Sequence, residues 1–396
     1  MNSKQRYAFN IFFLMVAVLW PLFKALYFDG IDGAGRTEII LMLLALFING
    51  KVLFNTPKVM HTWLLWIIYC TINLYFKGFY SETNTFSNWI ITRLIFPYMC
   101  MLVSYQAFKQ HFTNSTERFF YAYATYVVLG AFATKSIESY DVGVRMSNEL
   151  GNAFFNTAIL LGLFASLMYA AQRIDKWFYW IVVATLMYVI LLSGERKGFI
   201  AFFVIMFGSL LGVNMKTKKN SLLSFLVIIG LAFLLVNVAV SYSTFGERMS
   251  NSMETSMFED NLFLKLMGDR GVMYFEGWGL FLQNLCFGIG LNKYGLYNSF
   301  MDGLPFHTEY MVQLCECGLV GTSMFLVFYW GMIKRLFRLL KHDSDRTMTI
   351  IVSSAFLAII VINFVAWTYD NPNYFMVYGL IYAYFDKKQS LQLTRI

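Results

Sequence analysis

Of the 396 residues, 58% are hydrophobic, 19% aromatic and only 14% charged, a balance far too apolar for a chain that folds in water. That excludes a soluble enzyme or a soluble binding module and leaves a protein that crosses a bilayer many times. The net charge of +8 does not signal nucleic acid, because the basic residues fall in short connections between apolar runs, where they set membrane orientation.

Lys4 and Arg6 precede an apolar run that ends at Phe28 with no small-residue cleavage pattern, which reads as an uncleaved first membrane helix. A crossing takes about 20 residues. Further runs of suitable length fall near 37–54, 59–76, 87–107, 118–134, 151–172, 177–193, 198–214, 221–241, 317–337, 348–367 and 372–386. The expectation is an all-α polytopic membrane protein with about 12 transmembrane helices, a single integral membrane domain over residues 1–396. The last run is short and Tyr-rich, so an eleven-span reading stays open.

With the N-terminus inside, alternation places Lys4, Arg6, Lys216, Lys218, Lys219, Lys334, Arg335, Arg338, Lys341, Lys387 and Lys388 among the inner basic residues, about twice as many as the outer side receives. Both termini are therefore expected in the cytoplasm. His61, His111 and His342 fall inside and His307 alone outside. Five cysteines, an odd number, give no disulfide framework. Cys70 and Cys100 read as small core residues, Cys315 and Cys317 point different ways on a helix, and Cys286 is expected nearest the outer surface.

The one long polar connection is an extracytoplasmic loop over residues 242–306. Within it, Gly271 to Gln283 place Met273, Tyr274, Phe275, Trp278, Phe281 and Leu282 among few charges, a pattern suited to a short helix lying in the interface, with Asp269 as its N-cap. A second short helix is expected from Pro305 to Gly318.

The residues that can carry chemistry gather at this outer face. Arg196 and Lys197 occupy the tight outward turn Ser193-Gly194-Glu195-Arg196-Lys197-Gly198. They either anchor helix ends at headgroup phosphates or form an anion site, since a guanidinium pairs bidentately with phosphate and keeps its proton. Arg270 stands at a helix start that already favours a negative ligand, or else is a solvated charge paired with Asp269 or Glu276. His307 precedes Thr308, Glu309 and Tyr310 where the loop returns to the membrane; a lone histidine is more often structural than catalytic. Glu309, Gln313 and Glu316 share one face of a helix. From it a carboxylate either orients the imidazole or binds a sugar, or Glu316 simply caps and packs. Gly288 and Gly290, like Gly318 and Gly321, read as turn and close-packing glycines. Arg93 and Lys24 lie inside apolar runs; Lys24 can snorkel, whereas Arg93 needs a partner or a polar cavity. No metal-ligand spacing, phosphate loop or G-x-S-x-G occurs.

Taken together these features resemble the O-antigen ligase and polymerase superfamily of bacterial envelopes. The likeness rests on Ser193 to Arg196 before an apolar helix, Arg270 with Tyr274 and Trp278, Gly288 to Gly290, and His307 with Glu309 followed by Glu316-Cys317-Gly318-Leu319-Val320-Gly321. It implies a metal-independent, cofactor-free glycosyl transfer at the outer (periplasmic) face of the bacterial inner membrane, with an undecaprenyl-diphosphate-linked glycan as donor. By this likeness Arg196 and Arg270 hold the diphosphate leaving group, His307 is the general base for the acceptor hydroxyl, and Lys197, Tyr274, Glu309 and Glu316 are candidate substrate-binding residues. Ligase relatives commonly carry Asn after this histidine, and Thr308 departs from that. The leading reading is a polymerase moving growing glycan onto a lipid-linked repeat unit, with membrane lipid and a chain-length regulator as further partners. A ligase transferring glycan to lipid A core is the alternative, and a lipid-linked oligosaccharide flippase is third.

Overall fold

The computed structural model describes residues 2–27, 34–79, 85–136, 150–192, 196–217, 269–298, 306, 308–342, 346–364, 366 and 368–393. The run at 221–241 and loop residues 242–268 and 299–305 lie outside these. Among the described residues all regular structure is helical. In chain order the main helices are α1 (Ser3–Tyr27), α2 (Ala34–Asn49), α3 (His61–Lys77), α4 (Phe86–Gln110), α5 (Phe112–Ser136) and α6 (Leu150–Ala170). They continue with α7 (Lys176–Leu192), α8 (Arg196–Thr217), α9 (Asp269–Gln283), α10 (Cys317–His342), α11 (Arg346–Asn363) and α12 (Pro372–Leu393).

Four segments, Lys58–Lys77, Phe86–Gln110, Glu309–Lys341 and Arg346–Asn363, are long and apolar enough to cross a membrane. Large rings such as Phe47, Phe76, Trp177 and Trp330 stand exposed on the outside of the bundle. In water such a surface would aggregate; facing lipid it is the expected condition of a membrane protein.

Every described apolar run is helical, with ends set by local breaks. The second run is helical to its expected end at 54 but breaks at Gly50, which takes a positive φ of 47°, so α2 ends at Asn49 and a single turn, Lys51–Phe54, follows it. The fifth begins at Phe112 rather than 118: His111 leaves the helical region at φ −140° and ψ 75°, and its carbonyl accepts from the Ser115 N–H at 2.9 Å. Asp269 is the first helical residue of α9 rather than a cap before it. Inside α4, Pro97 has no N–H to offer the Arg93 carbonyl and its ring crowds that carbonyl. The helix widens there into a π turn, Ile91–Ile95.

Lipid tails are as apolar as Leu, so helices in a bilayer are held by close approach and polar contacts rather than by hydrophobic burial. Helices α4 and α12 meet where a side chain on Gly379 would lie 2.4 Å from the Met101 carbonyl, and Ser104 Oγ donates to the Met376 carbonyl at 2.7 Å. The α8/α11 contact uses the same device twice. Gly208 faces Ser354, and Gly212 faces Thr347, whose Oγ1 donates to the Gly212 carbonyl at 2.9 Å. Trp63 fills the space among α3, α10 and α12, with Phe328 and Phe375 ring centroids both 5.0 Å away.

Overpacking such a contact costs roughly 1–3 kcal/mol. Gly379→Val is therefore expected to lower the unfolding temperature of the detergent-solubilised protein, whereas Gly279→Ala, which points into open space on α9, leaves it unchanged. Equal melting of both variants would contradict the α4/α12 packing.

Candidate active site

The connection that follows α9 docks on a break in the helix leading into α10. Glu309–Met311 starts a helix that widens into a second π turn, Val312–Glu316, and is then interrupted at Gly318, which has φ 64° and ψ −171°. A break of this kind strands backbone groups that must find other partners. The docked loop supplies them. Ile289 N–H donates to Cys315 O at 3.0 Å and Gly290 N–H to Glu316 O at 2.9 Å, while Leu319 and Val320 N–H donate to Leu285 O and Cys286 O at 2.8 and 3.1 Å.

Only glycine fits at the centre of this contact. Gly288 and Gly318 both have positive φ, and a Cβ on either would lie 2.4 Å from the other segment's backbone. Helix α3 closes the loop from the side: Asn73 Nδ2 and Tyr69 OH both donate to the Phe287 carbonyl, at 2.6 and 3.1 Å, and Tyr69 OH also reaches Cys317 O at 2.6 Å.

Glu316 fixes the next stretch. Its buried carboxylate accepts from the Asn292 and Tyr294 N–H groups at 2.7 and 3.0 Å. The ring of Tyr294 stacks on Phe306 with centroids 3.5 Å apart, and its hydroxyl donates to Glu276 Oε2 at 2.9 Å, tying the loop back to α9. Burial, then the Glu276 carboxylate, push the Tyr294 hydroxyl well above its ordinary pKa, so it stays a donor. Beside it Lys293 donates to the Lys77 carbonyl; burial and the Lys77 charge lower its pKa.

Glu309 is the second buried carboxylate. Oε2 accepts from the Thr368 and Tyr369 N–H groups at 2.6 and 3.1 Å, and Oε1 from Gln313 Nε2 at 2.8 Å; Gln313 Oε1 in turn accepts from Trp66 Nε1 at 2.8 Å. The network continues from Thr368 Oγ1 to Asn363 Oδ1 at 2.8 Å, and from Asn363 Nδ2 to Tyr329 OH at 2.8 Å. Among the described residues every donor to Glu309 is an N–H.

Residues 180–326 match the family model described as O-antigen ligase. Over that stretch the chain is similar to the O-antigen ligase family. No curated protein matches the chain.

The matched stretch takes in α8, α9, the docked loop and the broken entry into α10, so all seven candidate residues named from the sequence lie within it. Arg196 is the first residue of α8 and Arg270 the second of α9; their side chains and that of Lys197 lie outside the described part, as does His307. Tyr274 OH donates to the Phe364 carbonyl at 2.9 Å, joining α9 to the end of α11. Glu309 and Glu316 were expected on one helical face, and the structure gives them different neighbours: the connector after α11 for the first, the docked loop for the second. The helix expected from Pro305 starts instead at Glu309, because Thr308 is extended (φ −138°, ψ 130°) and its Oγ1 donates to Asn363 O at 3.2 Å.

The sequence reading missed Asp370. It accepts from Arg93 Nη1 at 2.5 Å and supplies the partner that an arginine in an apolar run requires. The available signal was an acidic residue in the short connection between two apolar runs on the side where Arg93 begins its span. Cys286 is exposed and the other four cysteines are buried, Cys70 and Cys317 with sulfurs 3.8 Å apart. Among the described residues no three His, Cys, Asp or Glu side chains converge in a metal-binding arrangement.

Replacing Glu316 by Gln alters the acceptor of two buried hydrogen bonds, each of a kind worth roughly 1 kcal/mol. Amide exchange at Asn292 and Tyr294 is expected to accelerate in Glu316→Gln, with less change at Thr368, which Glu309 holds. Unaltered exchange at residues 292 and 294 would contradict the role given to this carboxylate.

Proposed function

We propose that the chain is a surface-polysaccharide polymerase, a metal-independent glycosyltransferase that moves a growing glycan from undecaprenyl diphosphate onto a lipid-linked repeat unit. The observation that carries this reading is the ligase-family match over the stretch in which Arg196 begins α8 and Arg270 is the second residue of α9. In the proposed scheme the acceptor hydroxyl oxygen bonds to the anomeric carbon and its proton passes to His307. The bond from that carbon to the diphosphate oxygen breaks, and the electron pair leaves on undecaprenyl diphosphate. Negative charge grows on the leaving group, where fixed cations help most. Arg196 and Arg270 provide them, each at a helix start whose free N–H groups add to the field. A histidine titrates near working pH and suits the deprotonation. Lys197 and Tyr274 are assigned to substrate contact, while Glu309 and Glu316 hold the segments that frame it.

The proposed setting is a bacterial inner membrane with both termini cytoplasmic, about 12 spans and the reaction at the periplasmic face. Membrane lipid surrounds the chain, and a chain-length regulator is its proposed protein partner. Transfer of finished glycan to lipid A core is the second reading, favoured by the description of the matching family as O-antigen ligase. Thr308, where ligase relatives commonly carry Asn, favours the polymerase.

The glycan profile of a deletion strain beside its complemented counterpart tests the proposal. Core bearing a single repeat unit is the polymerase result, and bare core with polymer retained on the lipid carrier is the ligase result. An unchanged ladder would reject both. Arg196→Ala and Arg270→Ala are expected to give the deletion profile with normal amounts of protein in the membrane, and Arg270→Lys to restore little because bidentate pairing is lost. Normal polymer from both alanine variants would refute the diphosphate site.

A further inference from the structure

The Arg93–Asp370 ion pair joins an N-terminal span to the connector between α11 and α12, and the proposed transfer assigns it no role. Both residues lie outside the ligase-family match. Arg93 sits in the π turn that Pro97 opens in α4, and π turns recur at functional positions. Its side chain is 52% exposed, whereas that of Asp370 is only 11% exposed. Asp370 directly follows Thr368 and Tyr369, whose N–H groups hold Glu309. The other end of the same connector is reached by Thr308, which donates to Asn363 O, and by Tyr274, which donates to Phe364 O. Elements of the matched stretch thus grip the connector at its start and middle, and Arg93 grips its far end.

We propose that Arg93 and Asp370 are positioning residues, a latch through which the N-terminal half of the chain sets the geometry of the matched stretch. The latch fixes residues 368–370, these fix Glu309, and Glu309 starts the helix that the chain enters two residues after His307. Without Arg93 the largely buried Asp370 carboxylate loses its one counter-charge among the described residues. The connector then moves to hydrate it, and the paired amides leave Glu309. The inference rests on the glycosyl-transfer reading for its kinetic readout but not for its structural one.

The test uses the full-length protein in detergent with Arg93→Ala, Arg93→Lys, Asp370→Asn and the charge swap Arg93→Asp/Asp370→Arg. Two quantities are read: amide exchange at residues 366–371 and 308–311, and transfer from an undecaprenyl-diphosphate-linked glycan. In Arg93→Ala and Asp370→Asn exchange at Thr368 and Tyr369 is expected to rise about tenfold or more. Their kcat should fall about tenfold or more with KM within about twofold, since displacement of supporting structure impairs the chemical step rather than uniform binding. Arg93→Lys should keep most of both properties, and the swap should restore them. Unchanged exchange in Arg93→Ala overturns the latch. So does a rise in KM alone that the swap fails to correct, which would make Arg93 a direct substrate contact. Should Arg93→Ala not accumulate, the swap decides by the same exchange criterion. If the wild-type chain transfers nothing while exchange responds as expected, the latch stands and the glycosyl-transfer reading fails.

Discussion

Two glycines pressed together backbone to backbone, Gly288 and Gly318, set the arrangement of the end of the bundle where α9 meets α10. Each adopts a positive φ, and neither leaves room for a Cβ. Their contact lets the docked loop satisfy amides and carbonyls released where the helix into α10 breaks, so the break and the loop complete each other's hydrogen bonding. A continuous helix would leave the loop without partners. A loop held further away would leave buried polar groups unpaired, which in a bilayer is too costly to persist.

Around that contact the chain buries two carboxylates and gives both to backbone N–H groups rather than to cations. Glu316 takes the loop and Glu309 the connector after α11, so each acts as a polar fastener between distant segments. Such groups are demanding in a low-dielectric setting: fully satisfied they define one geometry, and half-satisfied they destabilise it. Helix α9, with Arg270, and the start of the helix at Glu309 thereby lie on elements tied to one another. A transfer reaction that depends on fixed cations and a positioned acceptor needs that kind of frame.

The helices were legible because each is a long apolar run, and the short α9 because its rings recur among few charges. Their ends were less so, since His111 and Gly50 act through backbone conformation that hydropathy does not report. The two π turns were illegible: one follows from Pro97 and the other from the docked loop's demand for the carbonyls of Cys315 and Glu316. Glu309 and Glu316 stood out as chemistry-bearing residues, but their helical spacing gave no hint that loop and connector would each claim one. The need of Arg93 for a partner could be read from its surroundings, whereas Asp370, 277 positions away, could be found only in three dimensions.

Transfer of glycan from a lipid diphosphate is the chemistry proposed for Arg196, Arg270 and His307. The most direct measurement is a reaction of the purified chain, in detergent with a chelator present, on an undecaprenyl-diphosphate-linked repeat unit. The predicted result is longer lipid-linked glycan with release of one undecaprenyl diphosphate per bond formed. Recovery of the starting material unchanged, with folded protein and with both donor and acceptor supplied, would contradict it.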